Sequence, residues 1–428
     1  MSTTTSRDSG SNPATSALRD VPFMGVIWVV HQASQLGFTN GHPDWCNLGQ
    51  GQPEVGPMEG APPRLDSVEI RPEDHAYGPL GGTEELRAAI AAHYNRLYRV
   101  GKKSQYTARN VCVAQGGRLA LTRVFAALGH VNVGYQIPDY TAYEDMFDLH
   151  MSRLTPIPIR AREEDGFLVP AARLAHEIDE RGLGAFVLSN PCNPTGNVLQ
   201  GAELAALVKT GRDKHTLLVL DEFYSHFVYT PNGEPGAGPV SGAAYVDDVE
   251  SDPVILIDGL TKSFRYPGWR LGWAVGPSHV IDTLSRTASS IDGGPSRIAQ
   301  RAALAVLETK RADQETRAVR EVFAQKRNVT VERLEKIGVR FAARPTSTFY
   351  AWGCLDRLPA PFDDSMSFFR RALEHKVMTV PGEFFDVNPG KRRRAPTPYR
   401  QWMRFSFGPP MPNLQMGLDR LERMVLRG

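Results

Sequence analysis

Residues 216–224 read TLLVLDEFY, an apolar run closed by two acids and two aromatic residues. Similar runs flank it, AFVLS at 185–189 and PVILID at 253–258. Continuous apolar runs of four to six residues mark strands buried on both faces, the way parallel sheets are built. Working outward, VCVA (111–114), VNVGYQI (131–137), LTPIPI (154–159) and GWAVG (272–276) are further strand candidates separated by helical stretches. The alternation predicts an α/β fold with a mostly parallel sheet flanked by helices. A helix is expected over about 82–98, capped by Thr83 with Glu84 and Glu85 in its first turn. Past Pro295 the texture changes to a long helical pattern over 296–337, short strands at VRFAA, STFYAWG and WMRFSF, and a helix at about 412–426. That stretch reads as a smaller α+β domain.

The 428 residues suggest two or three domains and suffice to bury a sizeable core. Hydrophobic residues at 41% and charged residues at 22% are ordinary globular usage, which excludes wholesale disorder. Lys and Arg number 49 against 47 Asp and Glu, and so even a balance argues against coating nucleic acid or a membrane surface. The 39 glycines and 32 prolines are an excess that implies many specified turns, where chemistry tends to sit. Cys46, Cys112, Cys192 and Cys354 are scattered without a CxxC pair, so reduced thiols in the cytoplasm are expected and a zinc site is not. Residues 1–20 read as a disordered tail without the apolar stretch of a signal peptide. The apolar run Phe23–Val30 is far short of the ~20 residues that span a bilayer.

GQGQPEVG (49–56) lacks the spacing of a dinucleotide fingerprint, and His176-Glu177 lacks the second histidine of a zinc helix. GxSxG and GxxxxGK[ST] do not occur. What remains are polar residues where strands end: Asp221 closes TLLVLD, Asn193 follows AFVLS, and Lys262 lies four residues after PVILID. In open α/β sheets ligands collect beyond the carboxyl ends of the strands. A lysine there forms a Schiff base with a carbonyl once burial or a neighbouring cation makes its amine nucleophilic. Arg270 is such a cation and also suits a phosphate.

At this point the sequence resembles the fold-type I pyridoxal-phosphate enzymes of the class I/II aminotransferase family, from about residue 45 to the end. The motifs in order are YGPLGGTEELR (77–87), AQGGRLAL (114–121), IPDYTAY (137–143), NPCNPTG (190–196), DEFY (221–224), LTKSFRYPGWRLGW (260–273) and WMRFSF (402–407). The resemblance implies pyridoxal 5′-phosphate as cofactor and no metal. Lys262 is then the Schiff-base lysine, Asp221 faces the ring nitrogen, and Asn193 and Tyr224 bind the 3′-oxygen. Tyr140 stacks on the ring, and Gly117, Arg118, Thr261 and Arg270 hold the phosphate. Tyr77 reaches the phosphate of a partner subunit, so a homodimer is implied. Arg404 holds the substrate α-carboxylate, and Gly51 also belongs to the substrate site. The implied organisation is a segment 21–70 shared by the small domain and dimer interface, a large cofactor domain 71–295 and a small domain 296–428.

Three departures bear on the reaction. Gly259 and Thr261 stand where the family often has Ser-x-Ser-Lys, Arg118 adds a cation to the phosphate turn where small or amide side chains are common, and Ser347 stands where the family usually has glycine. Asp292, in SSIDGGPS (289–296), would favour a cationic substrate end, or be an ordinary turn residue. Lys391-Arg392-Arg393-Arg394 would hold phosphates of a large substrate, or form a solvated loop. The expected activity is activation of an amino acid by deprotonation at Cα, leading to amino transfer. The alternative is β/γ-elimination, replacement or annulation, with a sulfonium amino acid such as S-adenosylmethionine and a phosphate-bearing partner as candidate substrates.

Overall fold

The computed structural model describes residues 21, 23 and 25–427. The expected tail, 1–20, lies outside them.

Seven strands form the main sheet: β2 (Val111–Ala114), β3 (Val131–Ile137), β4 (Leu154–Arg160), β5 (Leu183–Ser189), β6 (Leu217–Asp221), β7 (Val254–Gly259) and β8 (Gly272–Val275). Their order is β2-β8-β7-β6-β5-β3-β4. The run from β4 to β7 is parallel, and every residue of β7 is buried. GWAVG was expected among the parallel strands. It pairs antiparallel to both β7 and β2 instead. The chain returns directly from β7 to β8 through residues 260–271, with no helical crossover, and a direct return requires antiparallel pairing.

Two smaller sheets complete the strands. The short β1 (Cys46–Asn47) lies parallel to β10 (Val377–Met378), and β9 (Tyr350–Cys354), β11 (Val380–Pro381) and β12 (Trp402–Ser406) form an antiparallel sheet in the order β11-β12-β9. VRFAA does not become a strand. Only Arg340 makes an isolated bridge, to Cys354.

Three helices line the site, α1 (Gly25–Gln35), α3 (Gly117–Ala127) and α4 (Ala142–Asp148), and α2 (Glu84–Tyr98) packs away from it against β2. Thr83 precedes α2, but its side chain makes no capping bond. The pattern over 296–337 is two helices, 297–306 and 309–336, parted at Glu308, whose carboxylate caps the second by accepting from the N–H groups of Lys310 and Arg311. No described helix is long and apolar enough to cross a membrane.

Candidate active site

The parallel register puts Ser189 beside Asp221, so the carboxyl ends of β5 and β6 deliver polar residues to one edge. The β7–β8 return supplies Lys262 and Arg270. Its base is the pair Gly259–Gly272, where a Cβ on Gly259 would lie 2.6 Å from Gly272 Cα and from the Leu271 carbonyl. This explains the first departure: backbone approaches too closely there for serine. Gly116 has φ +88°, and a Cβ on it would meet the Arg270 guanidinium at 2.5 Å. The start of α3 is thereby brought against Arg270, and a helix start with a neighbouring guanidinium is an anion site.

Of the residues given a cofactor or substrate role from sequence, all but Tyr77 and Asp292 line one cavity of about 740 Å³, and Lys391 joins them. Asp221 is buried, and its Oδ2 accepts from the Tyr143 hydroxyl at 3.0 Å. Its Oδ1 is buried without any hydrogen-bond partner. Burial raises this carboxyl to about 6, against the opposing Tyr143 bond. Lys262 is lowered to about 7, first by burial and then by the cations Arg404 and Arg270. Its amine contacts the carbonyl oxygen of Gly51, which is how the N-terminal loop closes over the lysine. Thr261 Oγ1 is also buried and unpartnered, so a hydroxyl is present where Gly259 offers none.

Arg404 is buried beneath the cavity. One Nη donates to Asn193 Oδ1 and the other to the Gly49 carbonyl, each at 2.8 Å, and the guanidinium lies 4.1 Å from the Tyr350 ring centroid. Two of its five N–H groups are engaged, which leaves donors for a carboxylate. Because Asn193 gives its oxygen to Arg404, its amide N–H₂ remains for another acceptor. The Tyr224 hydroxyl lies 3.0 Å from that of Tyr350, and exposed Arg118 donates to the Tyr140 hydroxyl at 3.2 Å. The unpartnered Oδ1 of Asp221, the free Thr261 hydroxyl and the helix start beside Arg270 fit a ligand with a protonated ring nitrogen and a phosphate, as the expected cofactor has.

Tyr77 is fully exposed (101%) and lies outside the cavity. Asp292 also lies outside the cavity. Its carboxylate is gripped by Arg123 at 2.8–3.2 Å, with the side chains 1% and 5% exposed for Arg123 and Asp292 respectively, and is not free to meet a substrate cation. Ser347 is accommodated because its own φ is not left-handed. The positive φ, 62°, falls on Thr348, and the Ser347 hydroxyl donates to the Gly196 carbonyl at 2.9 Å.

Several contributors escaped the sequence reading. Tyr143 is the second aromatic of IPDYTAY, and Tyr350 belongs to STFYAWG. Asp139 accepts from the backbone N–H of Tyr140 at 2.6 Å and of Ser189 at 3.1 Å, which staples the Tyr140 loop to the end of β5. Among the described residues no cluster of His, Cys, Asp or Glu could hold a metal ion.

A family model described as "Aminotransferase class I and II" matches residues 43–421. An aspartate aminotransferase of Sulfurisphaera tokodaii is 27% identical, covering 89% of each chain. An aspartate/prephenate aminotransferase of Thermus thermophilus is 29% identical over 82% of this chain and 83% of its own. In fold, an aminotransferase structure from Mycobacterium tuberculosis superposes with a TM-score of 0.77 at 23% identity, covering 95% of this chain and 98% of that one.

Proposed function

The chain belongs to the class I and II aminotransferases and is a pyridoxal-phosphate-dependent transferase, and from that premise we propose which residues carry its reaction. Pyridoxal 5′-phosphate, when bound, supplies an aldehyde that condenses with amines and a protonated ring that accepts the electron pair released at Cα. We assign its phosphate to Gly117, Arg118, Thr261 and Arg270, its 3′-oxygen to Asn193 and Tyr224, its ring nitrogen to Asp221 and a ring face to Tyr140. Lys262 is assigned to the aldehyde. Held near 7, it is substantially unprotonated at neutral pH, as a nucleophile and general base must be. It takes the proton from the substrate Cα and returns a proton to complete transfer. Arg404 binds the α-carboxylate, already stiffened by Asn193, Gly49 and Tyr350.

The observation that carries this reading is the buried, unpartnered Asp221 oxygen in the same cavity as a lysine lowered to about 7. Two of the three supports of the elimination alternative have another account: Gly259 answers to packing against Gly272, and Asp292 to Arg123.

Tyr77, standing free at 101% exposure, supports a homodimer in which each copy completes its partner's site. The four buried free thiols support a cytoplasmic, reducing location. The division into segments 21–70, 71–295 and 296–428 is supported by the main sheet, whose seven strands all fall within 71–295, and by the pairing of β1 with β10, which ties the first segment to the third.

The test is incubation with cofactor, a panel of amino acids and 2-oxoglutarate. The names of the relatives mark where to begin: aspartate as the first amino donor, and prephenate, a keto acid, as an acceptor in place of 2-oxoglutarate. Glutamate formation that disappears in Lys262→Ala is the expected result. Side-chain loss without amino transfer would overturn the reading.

A further inference from the structure

No role assigned above draws on the basic run at 391–394, and the fold divides it. Arg392 and Arg394 are exposed and form no ion pair among the described residues. Lys391 instead lines the cavity and pairs its ammonium with the buried carboxylate of Glu144. The backbone joins in. The N–H of Asn388 donates to the other Glu144 oxygen at 2.8 Å, and the N–H of Gly390 to Asp148 at 2.6 Å. Gly390 and Lys391 take left-handed φ values of 63° and 50°, a turn that glycine at 390 makes without strain. The turn is closed by Asn388, which exchanges 3.0 Å hydrogen bonds with the backbone of Arg393, and by Arg393 itself, bound to Asp386 at 2.6 Å.

The helix so held is α4. Its seven residues are too few to keep helical shape unaided. It carries Tyr143, whose hydroxyl donates to Asp221, and it follows directly on Tyr140, whose ring meets that of Tyr143 edge-on at 5.6 Å. Three donors from one turn therefore fix the element that carries Tyr143 to Asp221 and continues the chain from Tyr140, which lines the cavity.

We propose that the turn Asn388–Lys391 is a positioning clamp for amino transfer, seating α4 through Glu144 and Asp148 so that Tyr143 orients Asp221 and Tyr140 covers the ring site. The clamp rests on the assignment of Asp221 and Tyr140 made above.

The test titrates the full-length apoenzyme, by fluorescence, with pyridoxal phosphate and with its 1-deaza analogue, which has carbon in place of the ring nitrogen. Lys391→Met and Glu144→Gln should each weaken pyridoxal phosphate about threefold or more and narrow its advantage over the analogue. The conservative Glu144→Gln keeps the test open if Lys391→Met fails to fold. Tyr143→Phe should act in the same direction, and its combination with Lys391→Met should fall short of the product of the two effects. A chain with Arg392 and Arg394 both changed to Ala should bind as the wild type does. Equal weakening of both ligands means general loosening and overturns the clamp. Full multiplicativity overturns it too, as does wild-type binding by Lys391→Met. A wild type that binds neither ligand would remove the cofactor assignment together with the clamp, and is distinguishable from those outcomes.

Discussion

Arg123 holds Asp292 inside the protein, with Nη2 at 2.8 and 3.0 Å from the two carboxylate oxygens and Nε at 3.2 Å. A further Nη1 bond to the Val113 carbonyl at 2.9 Å ties this pair to β2. Removing one partner of a buried ion pair strands the other charge without water. Asp292→Ala should therefore cost about 3–5 kcal/mol in urea unfolding. Its order of preference among amino acids should stay as in the wild type. A variant of unchanged stability that lost only cationic substrates would restore Asp292 to the substrate site.

The glycine that replaces the expected serine gives a second outcome. A Cβ at Gly259 would also meet the Phe223 ring at 3.1 Å, beyond its two backbone clashes. Gly259→Ser adds a hydroxyl near the phosphate end but forces β7 and β8 apart. The expected loss is roughly 1–3 kcal/mol from overpacking, read as a lower melting temperature, with no gain in cofactor affinity. Tighter cofactor binding at undiminished stability would show that Thr261 does not fill the role.

Which parts were readable from sequence follows the same physics. TLLVLD and PVILID are strands because runs buried on both faces leave a local signature, and register alone puts Asp221 at the edge where β5 ends, while Lys262 comes from the return after β7. The direction of GWAV was not readable, since β8 is set by how the chain returns and not by its own residues. The two readings of Asp292 stayed open, and Tyr143 was missed, for one reason. Their partners, Arg123 and Asp221, lie 169 and 78 positions away. The break at Glu308 was hidden because both helices it separates share a mixed-charge pattern. The basic run was visible, but its division into a clamping lysine and two exposed arginines depends on a turn that only the fold displays.

Asp221 makes a stability prediction whose sign is fixed. Burial raises its carboxyl from 3.8 to about 6, so the folded apoenzyme binds a proton that the unfolded chain has released between those values. Stability conferred by that proton falls as pH rises from about 4 to about 6 and is level above, by up to about 3 kcal/mol. Urea unfolding of the apoenzyme at pH 4.5, 5.5 and 6.5 should show the fall as a difference from Asp221→Asn, in which it is absent. Parallel curves for the two proteins would mean that Tyr143 and Lys262 already cancel the burial effect.

Lys262 and Arg404 supply a kinetic counterpart. Burial is the main reason the lysine sits near 7, and the Arg404 guanidinium is the next. The attacking form is the free amine, so incorporation of pyridoxal phosphate into the apoenzyme should quicken as pH rises through about 7 and then level. Arg404→Met removes a cation that repels the lysine's proton, so the proton is held more tightly and the midpoint moves upward. Each unit of that movement makes incorporation roughly tenfold slower on the acid side of the midpoint while leaving the plateau intact. The same variant should raise KM for the amino acid, because the α-carboxylate loses its partner. A raised KM with an unmoved incorporation midpoint would confine Arg404 to substrate binding and leave burial and Arg270 to set the lysine.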